Sequence, residues 1–295
     1  MISTAVRAEG LTKHFGAVHA LEGLDLAVHT GEVVGYLGPN GAGKTTTLRL
    51  LLDLVRPTRG MCALLDGSGA DPAIRARIGY LPGELRVDTA YTADDLINFY
   101  GELRGGIDRR WVDELLERFD LDPRRPYREL STGHRRKVGI VQAFMHRPEL
   151  LLLDEPTSGL DPLLQVEFAA LVREANEAGA AILLSSHVVR EVETLASRVA
   201  ILRRGSLVAT VDIAELRQRA RQRLELHIDG SADPTVFAGL ESVVECNAVG
   251  NVIELLVEGS IEAVVKAAGA MRVRRIVTHD TDLEDVFLAY YRDEP

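Results

Sequence analysis

Apolar positions follow two different periods along this chain, and the change between them marks out its parts. Near the start, Val6-Arg7-Ala8-Glu9 and Leu24-Asp25-Leu26-Ala27-Val28 alternate, which predicts half-buried strands of a small antiparallel sheet. Residues 33–37, 150–153 and 181–184 are apolar without alternation. Such runs suit strands covered on both faces, as in a parallel sheet. Helical spacing lies between them. Leu48, Leu51, Leu52 and Val55 recur with that period, and between about 92 and 120 the pattern is helical throughout. There Thr92 reads as an N-cap, with Leu96, Phe99, Tyr100 and Leu103 on one face. A helix over 108–119 is expected to bury Trp111, Leu115 and Leu116. Strands alternating with longer helices up to about residue 212 predict an α/β domain.

A charged segment, Glu215-Leu216-Arg217-Gln218-Arg219-Ala220-Arg221, predicts a helical linker with a solvated basic face. Beyond it the elements read strand 224–228, helix 234–240, strands 243–247 and 252–257, helix 261–268, strand 273–278 and helix 283–291. That βαββαβ order is the ferredoxin-like arrangement.

Composition narrows the class. The chain has 295 residues, 46% of them hydrophobic and 26% charged, which fits a soluble globular protein of two domains, or of one domain with an appendage. No apolar stretch approaches the roughly 18 residues that cross a bilayer. Met1-Ile2-Ser3-Thr4-Ala5 lacks the charged-then-apolar pattern of a secretion signal. A cytoplasmic location is therefore expected, peripheral on a membrane protein if membrane-linked at all. A net charge of −10 argues against a general nucleic-acid binder. Cys62 and Cys246 sit in no metal or redox spacing and read as buried small hydrophobes.

The chemistry is concentrated in three motifs. Gly38-Pro39-Asn40-Gly41-Ala42-Gly43-Lys44-Thr45-Thr46 is a complete phosphate-binding loop between an apolar run and a helical pattern, the context that motif requires. Small residues let backbone N–H groups close around phosphates, and the following helix adds its positive end. Lys44 would reach the β- and γ-phosphates, and the Thr45 hydroxyl would hold Mg²⁺. Leu150-Leu151-Leu152-Leu153-Asp154-Glu155 places two carboxylates at the end of a buried strand. In such an enzyme Asp154 shares Mg²⁺ with Thr45, and Glu155 acts as general base toward the attacking water. Ser131 opens a helix in Leu130-Ser131-Thr132-Gly133-His134, giving both an N-cap and an anion site.

Together these residues resemble the ATP-binding subunit of ABC transporters, over residues 5 to about 212. The resemblance implies a P-loop ATPase with a mostly parallel core sheet, an antiparallel β subdomain and a helical subdomain at about 85–150. That domain would span 1–215, and 216–295 would form a small α+β accessory domain. It assigns adenine stacking to Phe15, nucleotide contacts to residues 38–46, the signature motif to Ser131-Thr132-Gly133-His134, the D-loop aspartate to Asp161 and the switch histidine to His187. Lys44, Glu155 and His187 would be catalytic, and Thr45 and Asp154 would hold the metal. ATP and Mg²⁺ are the implied ligands. A second ATPase subunit in a head-to-tail dimer and an integral membrane permease are the implied partners, with no nucleic acid. The signature departs from the family with Thr132 in place of Gly and His134 in place of Gln. The loop Ile78-Gly79-Tyr80-Leu81-Pro82-Gly83-Glu84 departs further, with Gly83 where the family has Gln. The tail, Thr281-Asp282-Leu283-Glu284-Asp285-Val286-Phe287-Leu288, is similar to that of drug or lipid exporters of the ABC-2 type. The alternatives are a soluble ABC ATPase acting on DNA or ribosomes, and a carboxyl-terminal domain that senses a small molecule.

Overall fold

In a computed structural model of the chain, the early alternation becomes β1 (Thr4–Phe15) and β2 (Val18–His29), paired antiparallel with Val6 opposite Val28 and Phe15 opposite Val18. The described residues are 3–85, 87, 90–219, 221–230, 232–279 and 287. β3 (Val33–Leu37) is buried at every position and leads through the glycine-rich loop into α1 (Lys44–Leu51). β4 (Arg59–Leu64) then pairs with β1 to complete a three-stranded sheet. After α2 (Pro72–Ala76) and β5 (Ile78–Leu81) come three helices, α3 (Ala93–Glu102), α4 (Arg109–Arg118) and α5 (Thr132–Phe144). The chain returns through β6 (Leu150–Asp154), α6 (Pro162–Glu177), β7 (Ala181–Ser186), α7 (Val189–Leu195), β8 (Arg198–Arg203) and β9 (Ser206–Asp212).

These strands form a six-stranded sheet in the order β5-β6-β7-β3-β8-β9. From β5 to β8 every neighbouring pair is parallel, as the unalternating apolar runs require. Its register sets the site. Asp154 stands beside Ser185, and Leu37, the residue before the phosphate loop, stands beside Ser186. Three strands therefore end side by side at their carboxyl edge, where open α/β sheets bind ligands.

The helices follow the sequence closely at their caps and less closely at their faces. Thr92 and Asp95 form a reciprocal capping box, with Thr92 Oγ1 accepting from Asp95 N at 3.1 Å and Asp95 accepting from Thr92 N at 2.8 Å. The buried stripe of α3 is Ala93, Ile97 and Gly101 with Leu96, while Phe99 and Leu103 are 55% and 67% exposed. Gly101 explains the rotation: a Cβ there would lie 2.9 Å from the Ile107 side chain, so the chain after the helix packs along that row. Along α4 it is Val112, Leu115 and Leu116 that are buried. Trp111 stays half-exposed, its indole N–H donating to the Phe144 carbonyl at 3.1 Å beneath the Arg147 guanidinium.

The chain divides into two compact units, Met1–Thr210 and Val211–Pro295. In the second, α8 (Ile213–Arg219) leads to β10 (Arg221–Ile228), β11 (Val243–Val249), β12 (Val252–Glu258), α9 (Glu262–Ala268) and β13 (Val273–His279). The sheet order β11-β12-β10-β13 with antiparallel neighbours is ferredoxin-like, over a core that includes Leu224, Leu226, Phe237, Leu255 and Val264. The helix expected over 234–240 shrinks to a single 3-10 turn, Pro234–Val236. Two β-branched residues followed by Gly239 do not propagate a helix, and Phe237 anchors the segment by full burial instead. The helix expected over 215–221 ends at Arg219, and β10 begins two residues later. The final helix expected over 283–291 lies outside the described residues except for Phe287, which is helical and buried. Both cysteines are partly rather than fully buried, each with its thiol directed at a main-chain carbonyl.

Candidate functional site

α1 begins at Lys44 with Gly43 as its N-cap and no capping side chain, so its first N–H groups stay available to an anion. Gly43 has φ +112°, and a Cβ there would stand 2.6 Å from the Ala20 carbonyl oxygen. Only glycine allows β2 to brace the loop so closely. Pro39, Asn40 and Gly41 form the exposed lip, whereas Gly38 and Ala42 are buried; Thr46 continues the helix at intermediate exposure. Lys44 is 6% exposed. Its ammonium lies 2.5 Å from the Gly38 carbonyl, 3.3 Å from the Pro39 carbonyl and 3.2 Å from Glu155 Oε1. Three donors thus meet three oxygens around a buried cation.

Asp154 ends β6 fully buried, its two oxygens accepting from different elements: Thr45 Oγ1 at 2.8 Å and Ser185 Oγ at 2.6 Å. Hydroxyl and carboxylate oxygens are the hard ligands Mg²⁺ takes, and Thr45 Oγ1 and Asp154 Oδ2 bring one of each together at 2.8 Å. The donor set fits that ion.

Glu155 stands next in the chain at φ +48°, a left-handed conformation rare for a residue bearing a Cβ. Its N–H is shared between the Ser185 carbonyl and hydroxyl, both at 3.1 Å. One carboxylate oxygen faces Lys44 and the other meets His187 Nδ1 at 2.7 Å. His187 follows β7 directly and is half-exposed, so one face of the Glu155–His187 pair is open. A carboxylate hydrogen-bonded to an imidazole beside a buried cation can take a proton from water at a phosphoryl centre.

One residue that sequence reasoning passed over organises this backbone. Arg136, in α5, is 6% exposed and gives all five of its N–H donors to main-chain carbonyls. Nε donates to Pro156 O at 3.0 Å, Nη1 to Pro82 O at 2.6 Å and Gly83 O at 3.1 Å, and Nη2 to Asp154 O at 2.5 Å and to Glu155 O. Burial pushes its pKa down to about 10, opposed by the carboxylates of Asp154, Glu155 and Glu191, so it stays charged at neutral pH. Gly83 takes its meaning from the same cluster. A Cβ there would lie 3.2 Å from Asp154 Oδ2, so the 82–83 backbone itself rests on the carboxylate. Ser185 was also missed; the polar pair ending the apolar run 181–186 was the available signal.

The remaining sequence-assigned residues make other contacts. Ser131 is exposed and caps α5, accepting from His134 N at 3.3 Å and meeting His134 Nδ1 at 2.7 Å. Thr132 opens α5 in the open, and Gly133 packs on the Gly159 carbonyl. Asp161 caps α6, accepting from Leu163 N and Leu164 N. Phe15, 49% exposed at the end of β1, lies under the Lys13 ammonium, 4.8 Å from its ring centroid.

Comparison with known proteins gives the same picture. The ABC transporter family model matches residues 21–158. The bacitracin transport ATP-binding protein BcrA of Enterococcus faecalis is 30% identical over 96% of this chain and 94% of its own length. The daunorubicin resistance ATP-binding protein DrrA3 of Streptomyces coeruleorubidus is 38% identical over 74% of this chain and 71% of its own. Among solved structures, an ATP-binding subunit of an ABC transporter superposes with TM-score 0.67 at 29% identity, covering 72% of this chain and 92% of that one. The dimeric cassette MJ0796 has TM-score 0.63 at 23% identity and shares the fold. With a buried lysine in a phosphate loop, two carboxylates at a strand end and a relative matched along nearly its whole length, this chain belongs to the ATP-binding, ATP-hydrolysing subunits of ABC transporters.

Proposed function

We propose that this chain drives export through a separate membrane permease, working as a head-to-tail dimer on the cytoplasmic face of the membrane. The observation that carries the reading is the match to a bacitracin transport subunit over 96% of the chain, which takes in both compact units. A daunorubicin resistance subunit among the relatives supports an amphiphilic drug or lipid as cargo. Among the described residues no helix is long and apolar enough to cross a membrane, which fits a pathway supplied by another polypeptide. The unit ending at Thr210 acts as the ATPase and the one that follows as an accessory domain.

In this scheme residues 38–46 of one copy hold the triphosphate, and the exposed start of α5 in the other copy, with Ser131, Thr132 and Gly133, closes over the γ-phosphate. Asp161, exposed two residues after the Gly159 carbonyl against which Gly133 packs, would face the same seam. Phosphate oxygens replace the Gly38 and Pro39 carbonyls around Lys44, so its charge is never left bare. Thr45 and Asp154 would hold Mg²⁺, which would neutralise charge on the phosphoryl oxygens. Glu155 takes the proton of the attacking water, and His187 orients its carboxylate. Adenine stacks on Phe15. Nucleotide shared across the seam favours the closed dimer, and loss of the γ-phosphate releases it.

Purification of the chain from native membranes tests the transport assignment. A multi-span permease is expected to accompany it; ribosomes or DNA in its place would move the protein to the soluble ABC ATPases. Lys44→Ala is expected to weaken ATP binding at least tenfold, since charge-assisted hydrogen bonds contribute about 1.5–3 kcal/mol each. Calorimetry returning a wild-type affinity would refute the phosphate-loop assignment.

A further inference from the structure

Outside the nucleotide site, three ligand-bearing side chains converge at the tip of the first hairpin. β1 and β2 place His14 directly opposite His19, one pair before Phe15 and Val18. His14 Nε2 and His19 Nδ1 approach the same oxygen, Glu22 Oε1, at 2.7 and 2.6 Å. Their rings stack with centroids 4.0 Å apart and planes 12° from parallel. All the ligand atoms lie within 4.8 Å of one another, and each side chain is partly open to solvent.

A carboxylate accepting from two imidazoles would account for the short contacts alone. That arrangement fixes the tautomer of each ring, with the proton on the nitrogen that faces Glu22. A cation can take the place of those protons: two imidazole nitrogens and a carboxylate are the donor set of late first-row divalent ions. The solvent-facing side gives entry and leaves a position for water. Calcium and magnesium, which prefer oxygen ligands, suit the cluster poorly.

The location gives the site a consequence. Phe15 follows His14 in the chain. Ala20 and Leu21, between His19 and Glu22, pack on the phosphate loop, where a Cβ on Gly43 would meet Ala20 O at 2.6 Å and Leu21 Cδ2 at 2.9 Å. Glu22 N donates to Gly205 O at 2.9 Å, and Gly205 N to Ala42 O at 3.0 Å. The three ligands thus bracket both the ring assigned to adenine and the backbone that braces the loop.

We infer that His14, His19 and Glu22 form a site for a divalent transition-metal ion of the Zn²⁺ type, and that its occupancy ties β1 to β2 and tightens nucleotide binding. The second half rests on the nucleotide roles proposed for Phe15 and the phosphate loop.

Zn²⁺ is titrated calorimetrically into the full chain carrying no affinity tag, and one saturable equivalent is expected. His19→Ala and Glu22→Gln should each weaken it at least about tenfold, as loss of a ligand or its support does at metal sites, with unchanged melting in metal-free buffer. Lys44→Ala should bind Zn²⁺ normally, which separates this site from the nucleotide assignment. ATP affinity, measured in excess Mg²⁺ so that the nucleotide stays loaded with Mg²⁺, should rise about fivefold with Zn²⁺, at the low end of ordinary coupling between sites. That rise should vanish in His19→Ala. Absence of saturable Zn²⁺ binding, or binding unchanged in a His14→Ala/His19→Ala double variant, overturns the site. Zn²⁺ bound at the hairpin with no change in ATP affinity overturns the coupling.

Discussion

Glu155→Gln is expected to keep ATP and to lose hydrolysis. A positioned general base contributes about 10²–10⁴-fold, so steady-state turnover should fall by at least about 100-fold. The amide preserves the shape of the side chain, and its carbonyl oxygen can still accept from His187 Nδ1, which now lies 2.7 Å from Glu155 Oε2. Binding should hold or improve. The carboxylate sits 3.2 Å from the Lys44 ammonium, where it competes with the triphosphate for that cation and repels the γ-phosphate. Removing its charge relieves both effects. Because the γ-phosphate then persists, the proposed dimer should accumulate with MgATP in size-exclusion chromatography and fall apart on dilution without nucleotide. Turnover within severalfold of wild type would exclude Glu155 as the base. Hydrolysis lost with no nucleotide-dependent dimer would leave the base in place and remove the shared-site scheme.

Legibility of this site from the chain followed the range of the contacts involved. The phosphate loop, the Ser131 and Thr92 caps and the Asp154–Glu155 pair are local. Each depends on residue types within a few positions, and spacing alone places them. Parallel strands were legible too, because burial on both faces leaves an apolar run with no alternation. Arg136 was not. An arginine in a helix ordinarily reads as a solvated charge, and its acceptors, Pro82, Gly83 and residues 154–156, belong to two other stretches of chain. Nothing in its own neighbourhood announces them. The α3 face failed for a related reason. Phe99 and Leu103 keep helical period with Leu96, yet Ile107 against Gly101 decides which row turns inward. The departure at Gly83 also changed meaning once the backbone was seen. A missing side chain reads as a missing contact in sequence, but here its absence lets the main chain lie against Asp154.

That main-chain contact makes Arg136→Lys the second variant with a large expected effect. The guanidinium serves five carbonyls in a rigid fork and joins the 82–83 loop to the strand end that carries both carboxylates. Lysine keeps the charge but has three donors on a flexible stem, so at least two of the five contacts are lost. A carbonyl left buried with no other partner costs about 1–3 kcal/mol. Arg136→Met would remove all five contacts and the charge, confounding folding with function even though Glu155 O keeps the Ser158 N–H, which makes lysine the informative change. Glu155 holds a left-handed backbone at φ +48°, a strain of about 1–3 kcal/mol that persists only where the surroundings enforce it. With Arg136 gone from its carbonyl the carboxylate should drift. A displacement of about 1 Å at a reacting group can cost roughly 100-fold, so kcat should fall on that scale while ATP affinity, set by the phosphate loop and Lys44, changes little. Melting should drop by several degrees, and kcat should stay low well below the new midpoint. Wild-type kcat in Arg136→Lys would show that the fork is dispensable. Loss of ATP affinity in step with kcat would reduce Arg136 to general support of the fold, because only a residue that positions Glu155 separates binding from turnover.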